Sequence, residues 1–161
     1  MPAGPVTVAI TNWNGAAFLD DCLDAALALR GEVSEVVVVD NASTDDSVER
    51  IRRRAPRVRL VQMARNEGPC PARNRGLAEA RTSWVLQLDS DVILPPDLLE
   101  RLWPETAGAR VAIVQPRAVL ASDPSVRAAP ARTSSPAPSI TPARARTTRA
   151  SRSTAPPLPR R

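Results

Sequence analysis

Apolar positions follow two alternating rhythms along the first two-thirds of the chain. Residues 6–11 form a short apolar, β-branched run that predicts a buried strand, and Asn12, Trp13, Asn14 and Gly15 break it with turn chemistry. From Phe18 onward, Leu19, Cys22, Leu23, Ala26 and Leu27 recur at helical spacing. Asp20, Asp21 and Asp24 sit toward the start of that helix, where carboxylates suit its field, and Gly31 is expected to end it. Val36, Val37, Val38 and Val39 form a continuous β-branched run, the pattern of a strand covered on both faces, which stops at Asp40 and Asn41.

The alternation continues. A helix is expected near Asp45 or Asp46, where Asp46 and Glu49 have capping-box spacing, with Val48, Ile51 and Ala55 facing inward and Pro56 closing it. Residues 58–63 predict a third strand. After the loop Asn66, Glu67, Gly68, Pro69, a helix with Pro71 in its first turn is expected to run to about Arg81. A fourth strand over 84–88 ends in Asp89, Ser90, Asp91. Pro95 and Pro96 then introduce a short helix carrying Leu98, Leu99, Leu102 and Trp103, and 110–114 predicts a fifth strand.

Strands alternating with helices through short connections predict an α/β fold: a mostly parallel sheet with helices on both faces and right-handed crossovers. Ligands of such sheets sit beyond the carboxyl ends of the strands. Three of those ends are polar: Asn12 and Asn14, Asp40 and Asn41, Asp89 and Asp91. They are expected to converge on one side.

Composition divides the chain. Up to Gln115 there are 13 Arg against 16 acidic residues, whereas from Pro116 onward 9 Arg face the single Asp123, so the formal charge of +5 describes neither part. Arg, Pro, Ala, Ser and Thr supply 40 of the last 46 residues, which leaves too few apolar side chains for a core. One domain over 5–117 is therefore expected, followed by a low-complexity, disordered tail over 118–161. The chain has no His or Lys and only two Cys, Cys22 and Cys70, which excludes a Cys-rich metal site or a disulfide scaffold. No run approaches ~18 apolar residues and the first 15 residues do not form a signal peptide, so a cytoplasmic location is expected.

Asp89-Ser90-Asp91 is the sharpest chemical feature. Two carboxylates one residue apart at a strand end can face a common hard cation that also takes phosphate oxygens, although the same spacing also makes an ordinary solvated turn. Asp40 is open to two readings: it caps the turn formed with Asn41, Ser43 and Thr44, or it accepts a donor from a ribose or base. Arg73, Asn74, Arg75 and Gly76 lie near a helix start, where backbone donors and a guanidinium can meet phosphate; the bland alternative pairs the arginines with Glu67 or Glu79. Cys22 reads as a small apolar filler, Trp13 as a ring beside the site, and Trp84 and Trp103 as core or half-buried. Neither a G-x-G-x-x-G nor a Walker A lysine is present.

Taken in order, residues 6–14, the segment VVVVDNASTDDS over 36–47, Asn66-Glu67-Gly68 with Ala72-Arg73-Asn74-Arg75-Gly76-Leu77, and Leu88-Asp89-Ser90-Asp91 resemble the amino-terminal portion of the family 2 glycosyltransferases. That family has the GT-A, Rossmann-like fold and uses nucleotide-diphospho-sugars. The resemblance implies Thr11 near the base, Asp40 toward a uracil or thymine ring, Arg73 with Asn74 toward base or diphosphate, Asp91 on the metal, and Asp89 toward the ribose or metal shell. It implies Mg²⁺ or Mn²⁺, a UDP- or dTDP-sugar donor, and a saccharide or lipid-linked acceptor hydroxyl attacked with inversion. Loose association with the cytoplasmic face of a membrane would follow from a lipid-linked acceptor.

The resemblance covers about residues 5–115 and stops before the acidic residue that serves the family as general base, so no catalytic base is assigned. The chain reads as a truncated, incomplete domain with weak or no transfer of its own. A catalytically idle nucleotide-sugar-binding fragment is the alternative. The tail is open to two explanations, a genuine extension or the wrong frame of a GC-rich gene. Its arginines also allow a nucleic-acid-binding module, disfavoured because the tail has no aromatic residue for stacking.

Overall fold

A computed structural model describes residues 4–106, 113, 114 and 116. Among these, four strands form one parallel sheet: β1 (Val6–Asn12), β2 (Val33–Asp40), β3 (Val58–Gln62) and β4 (Trp84–Asp89), in the order β3-β2-β1-β4. The helices are α1 (Ala16–Leu27), α2 (Ser47–Arg53), α3 (Pro69–Glu79) and α4 (Leu98–Leu102), the last running into a 3₁₀ turn (Trp103–Thr106). The expected α/β architecture is present. The fifth strand expected over 110–114 lies mostly outside the described residues, as does the tail; Ile113 and Val114 are described and belong to no strand.

Strand alternation sorts the sheet into two faces. Val8 and Ile10 of β1, Val36 and Val38 of β2, Val58 of β3 and Leu88 of β4 share one buried cluster with Leu19, Cys22, Leu23 and Ala26 of α1, Ile51 of α2 and Leu98 and Leu99 of α4. The opposite face carries α3, packed so closely that a Cβ on Gly76 would stand 3.3 Å from Ala9 Cβ. Glycine is the residue that lets this helix backbone lie on the sheet.

Register puts the four strand ends level. Thr11 pairs with Val39 on one side and Asp89 on the other, Asn12 pairs with Asp40, and Asp40 with Gln62. Trp84 and Trp103 meet edge to face, ring centroids 6.1 Å apart, half-buried as expected.

Several local expectations need correction. α1 ends at Leu27, capped by Ala28, and Leu29 turns into the core, so Gly31 lies beyond the helix end. α3 starts at Pro69, whose missing N–H costs nothing at the first helical position, and it ends at Glu79. The Asp46–Glu49 capping box does not form: the Asp46 carboxylate accepts Arg50 Nε at 2.9 Å and makes no cap bond. Asp45 takes up the free amides, accepting Ser47 N–H at 3.0 Å and Ala16 N–H at 3.0 Å, which ties the starts of α1 and α2 together. Ala55 is exposed, and Ser47 joins Ile51 on the buried face of α2.

Candidate functional site

The loops leaving β1 and β2 are bound to each other by a buried polar knot. Asp40 is fully buried; its Oδ1 accepts Asn12 Nδ2 at 2.9 Å and Ser43 Oγ–H at 2.6 Å, and its Oδ2 accepts Ser43 N–H at 3.0 Å. Ser43 Oγ in turn accepts Asn14 N–H at 2.9 Å, and Asn14 Oδ1 accepts Thr44 N–H at 2.8 Å. With its backbone fixed on both sides in this way, Trp13 stands 56% exposed.

β4 delivers the acidic segment alongside. Ser90 N–H donates to Thr11 O at 3.0 Å and the Ser90 side chain turns inward, which leaves Asp89 half-exposed and Asp91 exposed. From α3, Arg73 grips Asp89 with a two-pronged contact, Nε to Oδ1 at 3.2 Å and Nη2 to Oδ2 at 2.6 Å. Gln87 Nε2 donates to Arg73 O at 2.8 Å and anchors that turn of the helix. The Asp89 hydrogen bonds raise the Arg73 pKa above its ordinary value, so this cation is permanent.

These segments enclose a cavity of about 470 Å³ at the carboxyl edge of the sheet. Thr11, Trp13, Asn14, Gly15 and Phe18 form its wall from β1 to the first turn of α1. Asn41, Asn66, Gly68, Pro69 and Arg73 line it from the segments after β2 and β3 and from α3, and Asp89, Ser90 and Asp91 line it from the end of β4.

Of the six residues singled out in the sequence, Thr11, Arg73, Asp89 and Asp91 meet here. Asp40 is not among the residues lining the cavity: its carboxylate accepts from Asn12 and Ser43, as the turn-capping reading has it, and the next residue, Asn41, takes the wall because successive residues leaving a strand point opposite ways. Asn74 faces elsewhere. One residue on from Arg73 around α3, it lines a second cavity with Gln62, Glu67 and Arg75. Arg75 pairs with Glu79 at 2.8 Å, as the bland alternative for that arginine held.

Backbone donors at the α3 start are also fewer than expected. Pro69 and Pro71 carry no N–H, so the Arg73 guanidinium is the main cationic group on this wall.

Asn41 was expected among the converging polar strand ends, whereas Gly15, Phe18, Asn66, Gly68, Pro69 and Ser90 were not foreseen as wall residues. For Gly15 the reason is close approach: a Cβ there would lie 2.3 Å from Asn12 Oδ1 and 2.6 Å from Ser90 Oγ. Phe18 carries a legible signal, since it falls outside the stripe Leu19, Cys22, Leu23, Ala26 that α1 buries, and it is 60% exposed.

The donor set suits a hard cation in part. Asp89 and Asp91 offer carboxylate oxygens on one cavity wall, but among the described residues no three His, Cys, Asp or Glu side chains gather at one point. A cation here would need further oxygens from a bound phosphate or water.

A sequence profile described as "Glycosyl transferase family 2" matches residues 7–159. The chain belongs to this family. Among relatives, it is 40% identical over 111 residues to the succinoglycan biosynthesis protein ExoO of Rhizobium meliloti (strain 1021), covering 67% of this chain and 32% of that protein. It is 34% identical over 98 residues to the chondroitin synthase of Pasteurella multocida (strain Pm70), covering 59% of this chain and 10% of that one. Among solved structures, mannosyltransferase PcManGT from Pyrobaculum calidifontis, in complex with GDP-Man and Mn²⁺, superposes with a TM-score of 0.60 at 31% identity over 68% of this chain and 35% of that one. S. aureus TarS 1-349 in complex with UDP-GlcNAc gives 0.56 at 26% identity over 61% and 30%. The chain spans about a third of the length of the first of these relatives and of both structures. These structural neighbours agree with the GT-A fold expected from the ordered motifs.

Proposed function

We propose that residues 4–106 hold the nucleotide-diphospho-sugar donor of a glycosyl transfer reaction. The observation that carries this reading is the meeting of Arg73, Asp89 and Asp91 with the exposed ring of Trp13 around one cavity at the carboxyl edge of a parallel sheet. The indole face offers a flat platform to a base, and Arg73 keeps a fixed positive charge within reach of phosphate oxygens. The TarS and PcManGT complexes, with UDP-GlcNAc and with GDP-Man and Mn²⁺, support the same assignment.

Asp91 and Asp89 are the residues that would hold Mg²⁺ or Mn²⁺, which when bound would offset the charge of the diphosphate as it leaves. Asp91 is the uncommitted carboxylate of the two, because Asp89 already faces Arg73. By family, the sugar passes with inversion to an acceptor hydroxyl, saccharide or lipid-linked, on the cytoplasmic side of the membrane. Among the described residues no helix is long and apolar enough to cross a membrane.

Calorimetric titration of the full chain with UDP, in the presence and absence of Mn²⁺, tests the proposal. Metal-strengthened binding is expected. Arg73→Ala should weaken it by about 1.5–3 kcal/mol, the usual worth of a hydrogen bond to a charged group, and Asp91→Asn should abolish the metal dependence while leaving metal-free binding in place. No binding of UDP or GDP with either cation would overturn the reading.

A further inference from the structure

The Asp91 carboxylate accepts no hydrogen bond and joins no ion pair among the described residues. It sits with Ser90 at the tip of the turn that Val92 N–H closes on Asp89 O at 3.3 Å, so where it stands depends on how that turn is set against the sheet. Ser90 is the inward-facing residue of the turn: its N–H donates to Thr11 O at 3.0 Å, and only 8% of it is exposed. The Cys22 thiol meets Asp89 O at 3.8 Å, which supports the start of the turn and leaves its tip to Ser90.

Two polar atoms beneath the tip are left without partners. Asn12 is fully buried, and its Nδ2 donates to Asp40 Oδ1 at 2.9 Å and to Ser43 Oγ at 3.1 Å. Turning this amide over would set its oxygen against the Asp40 carboxylate, so Oδ1 faces the other way, toward Gly15 and Ser90. Asn12 Oδ1 is buried and accepts no hydrogen bond among the described residues, and the Ser90 hydroxyl donates none there. A Cβ on Gly15 would lie 2.3 Å from Asn12 Oδ1 and 2.6 Å from Ser90 Oγ; with glycine in place, no side chain at position 15 stands between the two oxygens. A buried acceptor without a donor is costly, and a serine hydroxyl moves among staggered positions by rotation about a single bond.

We infer that Ser90 is a positioning residue for Asp91: its hydroxyl latches onto Asn12 Oδ1 and so holds the turn with the Asp91 carboxylate presented to a cation at the cavity. The inference deepens the donor-binding proposal and rests on it. Asp40 and Ser43 aim the Asn12 amide, so the residues leaving β2 set the acidic turn after β4 across the intervening β1.

The test is calorimetric titration of the full chain with UDP, with and without Mn²⁺, and its readout is the factor by which Mn²⁺ strengthens binding. Ser90→Ala should cut that factor about three- to tenfold, the effect of one lost hydrogen bond. Ser90→Thr keeps the hydroxyl and should retain the factor. A change that only loosened the fold would weaken both titrations together and leave the factor alone. Asn12→Ala should cut the factor as Ser90→Ala does, and the double variant no further; where Asn12→Ala fails to fold, the contrast of alanine with threonine at position 90 carries the test. A factor unchanged in Ser90→Ala, or cut equally in Ser90→Ala and Ser90→Thr, overturns the latch alone. A wild-type chain that binds UDP no better with Mn²⁺ overturns the metal assignment, one that does not bind UDP overturns the donor-binding reading, and the latch falls with either.

Discussion

Gly15 shows how little room single residues have at this site. A methyl group there would lie within 2.6 Å of both Asn12 Oδ1 and Ser90 Oγ, so Gly15→Ala must displace the Asn12 amide and the Ser90 hydroxyl. A loss of about 1–3 kcal/mol is expected from urea denaturation, the ordinary cost of overpacking a filled site, together with weaker metal-dependent nucleotide binding. The two cysteines make a second contrast. Burial pushes the Cys22 thiol up to about 11, whereas Cys70 is exposed at the start of α3. Iodoacetamide at pH 8 should therefore label Cys70 in the native chain and reach Cys22 only after denaturation, as read by mass spectrometry.

At this scale the sequence was partly legible. Arg73, Asp89 and Asp91 stand out because the predicted topology brings their strand and helix ends to one edge of the sheet, although the same residue types also make ordinary turns and surface pairs. Asp40 stays ambiguous in the sequence because an Asp that caps a turn and one that faces a ligand look alike until its hydrogen-bond partners are known. The placing of Asn66 is hidden for a related reason: its amide oxygen is held by Asn41, 25 residues away in the chain, and no local pattern records that.

Among the elements, α1 and α2 are joined by charge as well as by packing. Asp20 accepts from Arg50 and from Arg54, and Arg54 also grips Asp24. The Arg50 hydrogen bond first, then that of Arg54, hold the Asp20 carboxyl below its ordinary value of 3.8. A carboxyl depressed on folding contributes stability that is fully present above the unfolded pKa and is lost as pH falls through the folded one. Thermal stability should accordingly be insensitive to this group from neutrality down to about pH 5 and decline below it. Asp20→Asn should flatten that decline, and added salt should shrink the difference between the two proteins.

Packing outweighs these exposed pairs. Ile51, fully buried from α2 into the sheet cluster, should cost about 2–5 kcal/mol as Ile51→Ala in the same denaturation assay. Periodicity made all four strands and α1 to α4 legible, because burial on one face leaves an apolar rhythm. Element ends were less so: Asp45 and Asp46 are adjacent carboxylates, and which one serves the helix start depends on the distant Ala16 amide and on Arg50.

For the whole molecule, alternation of strand and helix sufficed to place the site at the carboxyl edge, since any right-handed parallel wind brings those ends to one side. The order β3-β2-β1-β4 has another consequence. β1 is flanked by β2 from the next part of the chain and by β4 from much further on; Thr7 N–H reaches Thr82 Oγ1 across 75 residues. A chain emerging from the ribosome can zip β1, β2 and β3 one after another, yet one side of its central strand stays open until β4 has been made. Such distant pairing slows folding relative to a helical bundle of similar size, and it leaves the unpaired edge of β1 free to capture a strand from another chain in the interval. Arg73 likewise finds Asp89 only at this last step. The ligand cavity is thus completed by the closing move of assembly, and nucleotide added during refolding can stabilise only chains that have made it.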